Sequence, residues 1–587
     1  MVDFPRREIQ FPPMSQSLDR RAFIKRSALV AGAGLTAPLW RPGAPAAGEA
    51  PATGEAGAAA KPAAMLLDMV HNNPGETPFV THYNDPGRLR QLGYQTKVYE
   101  LFEGAQFGID WSAVDASIFA PGSPERAWVD QKAADLDKLY TAAKQAGLLV
   151  YCHTDMIVFP KKLVEKFKLT HHKQISDPET QKFLSAAIQQ MFRRFPQVDG
   201  LVVRIGETYL QGAPYHTGGI ADKGSPEKTI IPLMNLLREE VCIQLNKKVL
   251  FRAWVSFDTP PSLYERVSEG VEPHPNLLIS IKHCEGDFHR GNPFSTVLGQ
   301  GRHAQVVEVQ CQREYEGKGA YPNYIAHGVI EGFEEHHGQS LRKVWSNPLL
   351  AGMFTWSRGG GWKGPYITNE LWCDLNVYVL SHWVQDSRRP EEDLFNDYCT
   401  QVLQLTAADA ATFRKLCLLS ADAVYRGIRG TRNEISPWWT RDQYMGRPPL
   451  PGNPADWPDF LREKDEAVTM WEQIIGYGDA IHFPDAAVGE YVKTSCRYGH
   501  AVYRIYRDGF RLAALGSPAS AGGKAQMKSL IEDYDKTWAE YKKLRQEHPS
   551  CATLYGDKGF TQRVGSEGVP GMGAMVDECR KSVGSQS

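Results

Sequence analysis

The chain has 587 residues, 42% hydrophobic and 23% charged, with a formal net charge of −2. That is an ordinary globular mixture, long enough for a large barrel and an accessory domain. Near-neutrality excludes the strongly basic surface that nucleic acid or an anionic membrane would require, so neither is expected as a partner.

Residues 1–46 read as a twin-arginine signal peptide. The run Ser17-Leu18-Asp19-Arg20-Arg21-Ala22-Phe23-Ile24-Lys25 precedes a short Gly/Ala-rich apolar stretch, and Ala44-Pro45-Ala46 offers a cleavage site. The stretch is too short for a stable membrane span once the signal is removed. The expected partner here is the bacterial twin-arginine export machinery, and the expected destination is the periplasm or the medium. Residues 47–64, rich in Pro, Ala and Gly, read as a linker.

From residue 65, eight short and nearly continuous apolar runs appear, at 65–70, 94–101, 148–153, 200–205, 249–255, 277–282, 306–310 and 352–356. Such runs suit strands buried on both faces. They alternate with helical segments such as 129–146, 181–195, 225–245 and 325–337. The alternation predicts an α/β fold, a (β/α)8 barrel over 65–390. A doubly wound open sheet is the alternative, but no GxGxxG follows the first run. Segments 391–403, 407–424, 458–477, 490–515 and 524–548 are helical by period, so 391–587 is expected to form a C-terminal α-helical domain. Between them lies a long irregular loop whose Trp438-Trp439 pair either packs or rims a sugar site.

Ten cysteines are scattered without a CxxC pair, and no nucleotide fingerprint appears, so neither metal nor cofactor is expected. In a parallel barrel, chemistry sits just past the C-terminal strand ends. Those ends supply His153 and Asp155, then Arg204 and Glu207, then Arg252 and Trp254. They continue with Lys282, His283, Glu285, Asp287 and Arg290, then Arg313, Glu314 and Glu316, then Trp356, Arg358 and Trp362. Any one charge could belong to an ion pair, and His153 could be a core histidine. Their joint position is what points to a site. Asp287 and Glu314, on neighbouring strand ends, outline the paired carboxylates of glycoside chemistry. Acids beside cations suit a substrate that is both a glycoside and an anion.

Five blocks carry a resemblance, in order and approximate spacing: SDPETQKFLSAAIQQMFRRFPQVDGLVVRIGETY, VLFRAWVSF, LLISIKHCEGDFHRGNPFS, VEVQCQREYEGKG and LAGMFTWSRGGGWKGPYITNELWCDLNVYVLSHW. Over about residues 146–396 the chain resembles the α-glucuronidases of glycoside hydrolase family 67. That family removes 4-O-methylglucuronic acid from xylan-derived oligosaccharides with inversion. The resemblance implies Glu207 as general acid, with Asp287 and Glu314 handling the attacking water. It implies Lys282 and Arg252 as contacts to the uronate, with Arg204 near the position of a family lysine. Arg290 and the rings of Trp254, Trp356 and Trp362 are further candidate contacts to an acidic oligosaccharide. The chain departs from the family around the acid, which here sits in IGETY, and in its first two strands. Two other readings stay open: a non-catalytic glycan-binding barrel, and a uronate lyase drawing its base from His283 or Tyr315.

Overall fold

The computed structural model describes residues 64–72, 78–169, 175–205, 208, 210–218, 226–254, 257–286, 288–360, 368–429, 448–548 and 571–584, and the statements below concern these. The expected signal peptide, the linker up to residue 63 and the Trp438-Trp439 pair lie outside them. No described helix is long and apolar enough to cross a membrane.

Eight strands form the expected barrel. They are β1 (Met65–His71), β2 (Thr96–Tyr99), β3 (Leu149–Thr154), β4 (Val198–Val203), β5 (Lys248–Arg252), β6 (Leu277–Lys282), β7 (Gln305–Gln310) and β8 (Leu350–Gly359). All pair in parallel, and β8 closes on β1. Each was visible as an apolar run because both of its faces are covered. Leu67, Met69, Val98, Tyr151, Val202, Leu250, Leu278, Val306 and Phe354 fill the lumen, and alternate residues such as Leu66, Val150, Leu201, Phe251 and Ile279 join the larger core outside it. The second strand is shorter than its apolar run, because a 3-10 turn begins at Leu101.

Helices begin where a side chain can satisfy the exposed backbone N–H groups of the first turn. Ser123 caps α1 (Pro124–Gln145) and Asp177 caps α2 (Pro178–Arg194), each followed by a proline at the first helical position. The apolar period of α1 starts only at Val129, so periodicity alone began that helix too late. Helix α3 (Pro226–Leu237) continues as a π-helical segment, and α4 (Leu371–Gln385) follows β8.

The C-terminal region is helical: α5 (Glu391–Asp397), α6 (Ala407–Ile428), α7 (Trp457–Ala480), α8 (Ala486–Leu515), α9 (Ala521–Glu547) and α10 (Met572–Gly584). It packs on the loop that leaves β7. Fully buried Trp471 meets Tyr321 edge-on at 5.5 Å and stacks on Tyr503 at 5.1 Å. Tyr491 donates to the Gly319 carbonyl at 3.2 Å, and the Tyr324 hydroxyl donates to Glu391.

One feature had no sequence signal. Val158–Pro160 and His216–Gly218 pair as a short antiparallel ribbon joining the excursions after β3 and β4. Three-residue strands are too short to show a period, and their pairing is non-local.

Trp471→Ala should destabilise the protein by about 3–5 kcal/mol, the usual cost of emptying a large buried aromatic site. Calorimetry would register it as a lower transition temperature for the wall behind the β7 loop.

Candidate active site

The floor of the barrel mouth is built on a buried ion pair. Arg252, the last residue of β5, donates from Nε and Nη2 to the two oxygens of Glu308 on β7, at 2.7 and 2.9 Å. Ser280 on β6 adds a third donor to Glu308 at 2.7 Å. Burial would raise the Glu308 pKa, but Arg252, Lys282 and Ser280 outweigh it and hold the carboxyl below its ordinary range. The Arg252 guanidinium lies 4.8 Å from the ring of Trp356, which stacks on His71 at 4.8 Å. Its Nη1 lies 3.5 Å from His153 Nε2. Burial, then the charges of Arg252 and Arg204, push His153 well below the ordinary imidazole range, so its ring is neutral.

Above this floor stands the loop after β7. Glu314 is buried, and Gln310 grips it twice: the Glu314 N–H donates to Gln310 Oε1 at 2.9 Å, and Gln310 Nε2 donates to the carboxylate at 3.2 Å. Gly360 must be a glycine here. Its φ is +94°, and a Cβ would lie 2.6 Å from Glu314 Oε2 and 2.1 Å from Gln310 Nε2. Two bulky residues beside the expected water-side carboxylates adopt left-handed backbone, Phe288 at φ 55° after Asp287 and Arg313 at φ 60° before Glu314. Such conformations cost about 1–2 kcal/mol each and persist where surrounding contacts enforce them. Arg313 is held by a bidentate pair with Glu316 at 2.7 and 2.8 Å, and Phe288 meets Trp356 edge-on at 5.3 Å.

The expected contacts divide into three groups. Lys282, Arg252, Trp254 and Trp356 do come together. The Lys282 ammonium lies 4.2 Å from the Phe288 ring centroid and 4.9 Å from that of Trp254. Arg204 lies 5.7 Å from the same indole, with its guanidinium bonded to Asp155 at 3.0 and 3.3 Å. Arg290, a further expected contact, is engaged by carboxylates of the protein itself. Its guanidinium pairs with Glu335 at 2.5 Å and with Asp422 of α6 at 2.8 Å, near the rings of Phe333 and Tyr425. It ties the β6 loop to the helical domain, through partners 45 and 132 places away in sequence. Glu207, Asp287 and Trp362 lie outside the described residues.

Three residues of the site escaped the sequence reading. Glu308 and Gln310 sit inside the apolar run of β7; a charge at an inward-facing position of such a run was the available signal. Asp258, in the loop after β5, is the third. Burial raises its carboxyl to about 6 despite the opposing charge of Lys282. Of the alternative bases, His283 and Tyr315 are both buried, and His283 is held well below its usual pKa by burial and Arg313.

Among the described residues, His82, Glu370 and Asp374 bring three possible metal-ligand atoms together. Each imidazole nitrogen of His82 has its own carboxylate, Glu370 at 2.5 Å and Asp374 at 3.3 Å. Burial alone would lower the His82 pKa; Asp374 and Glu370 reverse that and lift it to about 10. These contacts tie the loop after β1 to Glu370 and Asp374 at the start of α4.

No family model matches this sequence, and no curated protein matches it. Among solved structures, the chain is similar to a GH138 enzyme targeting pectin rhamnogalacturonan II, with a TM-score of 0.52 and 11% identity over 89% of this chain and 67% of that one. A mutant of the Thermobaculum terrenum O-GlcNAc hydrolase aligns at a TM-score of 0.38 and 7% identity, over 89% of this chain and 94% of that one. At 11% identity the first likeness is one of fold.

Two stability measurements probe this electrostatic arrangement. Glu308→Gln strands the Arg252 charge in the lumen and should cost about 3–5 kcal/mol in chemical denaturation at neutral pH. Asp258 works in the opposite sense. Its folded pKa of about 6 lies above the unfolded value of roughly 3.9, so its penalty grows as pH rises through that window and is complete above it. Asp258→Asn should therefore stabilise the protein by on the order of 1–3 kcal/mol at pH about 8, with the gain vanishing below pH about 4.

Proposed function

We propose that the chain is a glycoside hydrolase of α-glucuronidase type. Exported through the twin-arginine machinery, it releases glucuronic acid, its 4-O-methyl ether or a related uronic acid from acidic oligosaccharides. Glu207 protonates the leaving oxygen, while Asp287 and Glu314 hold and activate the attacking water on the opposite sugar face. One observation carries this reading. A single barrel mouth joins an enclosed carboxylate gripped by Gln310, at Glu314, with an ammonium against two aromatic rings, at Lys282. The fold neighbour that acts on pectin supports carbohydrate as the substrate class.

The same geometry refines the anion site. Arg252 and Arg204 already face Glu308 and Asp155, so their guanidinium charge is largely matched within the protein. In this reading Lys282 meets the sugar carboxylate together with Arg252, whose pairing with Glu308 fixes the floor beneath it.

The test is release of free uronic acid from aldouronic oligosaccharides. Glu207→Gln and Glu314→Gln should each lower kcat by about 10²–10⁴. Lys282→Ala should raise KM for uronosides and leave neutral glycosides unaffected. Full activity in Glu207→Gln would overturn the acid assignment. An ultraviolet-absorbing unsaturated product would identify a lyase, and binding without turnover a glycan-binding barrel.

A further inference from the structure

The side-chain amide of Gln310 can be oriented from its neighbours alone. A backbone N–H only donates, so the atom that faces the Glu314 N–H at 2.9 Å is the amide oxygen. The amide nitrogen then faces the Glu314 carboxylate at 3.2 Å and reaches the Gly359 carbonyl, which only accepts, at 3.5 Å. Two main-chain groups, one donor and one acceptor, therefore decide which way the amide points. The Gly359 peptide is itself held. Its N–H donates to the side-chain oxygen of Gln312, whose amide nitrogen donates to the Lys318 carbonyl at 3.2 Å. Gln310, Gln312 and Glu314 are all buried.

A glutamate side chain turns about several torsions, and burial by itself does not choose among their staggered states. At Glu314 the choice is made by one neighbour. Gln310 holds the start of the residue through its backbone N–H and the end through its carboxylate. The last residues of β8 close the other side: a Cβ at Gly360 would lie 2.6 Å from Glu314 Oε2 and 2.1 Å from Gln310 Nε2. The bonded pair therefore has little room to swing apart toward β8. A reacting group misplaced by about 1 Å can lose about a hundredfold in rate, so a grip of this kind has a catalytic consequence. We infer, on the water-side role proposed above for Glu314, that Gln310 is a positioning residue: its amide fixes the orientation in which the Glu314 carboxylate meets the attacking water. Gln310 moves no proton and acts through Glu314, while the β8 end at Gly359 holds Gln310 in place.

The test is a double-mutant cycle on the full chain, read as uronic acid released from aldouronic oligosaccharides. Gln310→Met keeps the length of the side chain and removes its amide. It should lower kcat about ten- to a hundredfold and leave KM within about threefold of wild type. In a Glu314→Gln background the same change should alter kcat by less than about twofold, because the carboxylate through which Gln310 acts is gone. An equal loss in both backgrounds marks a purely structural role and overturns the inference. So does a wild-type-background kcat that falls by less than about twofold, or a loss confined to KM. In each of those cases release of uronic acid by the wild type leaves the glycosidase reading standing. If the wild type releases none, that reading falls, and crystal structures of the wild type and Gln310→Met decide the positioning alone. A Glu314 carboxylate that turns or spreads over several conformers only in the variant supports it, and one that keeps its place overturns it. Should Gln310→Met fail to fold, Gln310→Asn, one methylene too short to span both ends of Glu314, replaces it in every arm.

Discussion

The Arg252–Glu308 pair is the constraint on which the rest of the site depends. Two opposite charges inside the barrel lumen are tolerable only because they bond in bidentate fashion, with Ser280 adding a further donor. Once formed, the pair sets the electrostatics of everything around it. Its guanidinium adds to the burial that holds His153 well below the usual imidazole range and lies over Trp356, and its carboxylate lies near Lys282. It also gives Arg252, an expected uronate contact, a carboxylate partner within the protein.

The helical domain contributes at a distance. The loop after β7 carries Glu314 and then runs through Tyr321 and Tyr324 against Trp471, Tyr503 and Glu391. A left-handed Arg313 would relax readily in a free loop. Here it is held by Glu316, whose carboxylate also accepts from Asn323 and from the Arg290 backbone N–H. Arg290 in turn reaches Asp422 on α6. The accessory domain thus acts as a wall that fixes where the Glu314 loop sits, and Gly360 lets the end of β8 approach the carboxylate closely.

Much of the fold was legible because parallel strands leave a local record. β6 matched its apolar run at both ends, and the other seven fell on theirs within a few residues. Helix starts were less legible where the cap precedes the apolar period, as at Ser123, and α10 fell beyond the last periodic segment recognised. In the site, the basic residues were visible as types but not as pairs. Arg252, Arg204 and Arg290 look alike in sequence, yet their partners are Glu308, Asp155 and the Glu335/Asp422 pair. Each partner lies on a different element, and no spacing rule predicts which.

The sequence by itself determined the barrel and the inventory of acids, bases and rings at its mouth, because burial on both strand faces and the position of a strand end are local properties. Only the tertiary structure decided which charges are already matched, which histidine is neutral and which carboxyl is raised. Those depend on what lies within a few ångströms in a low-dielectric interior, a distance that sequence separation does not measure.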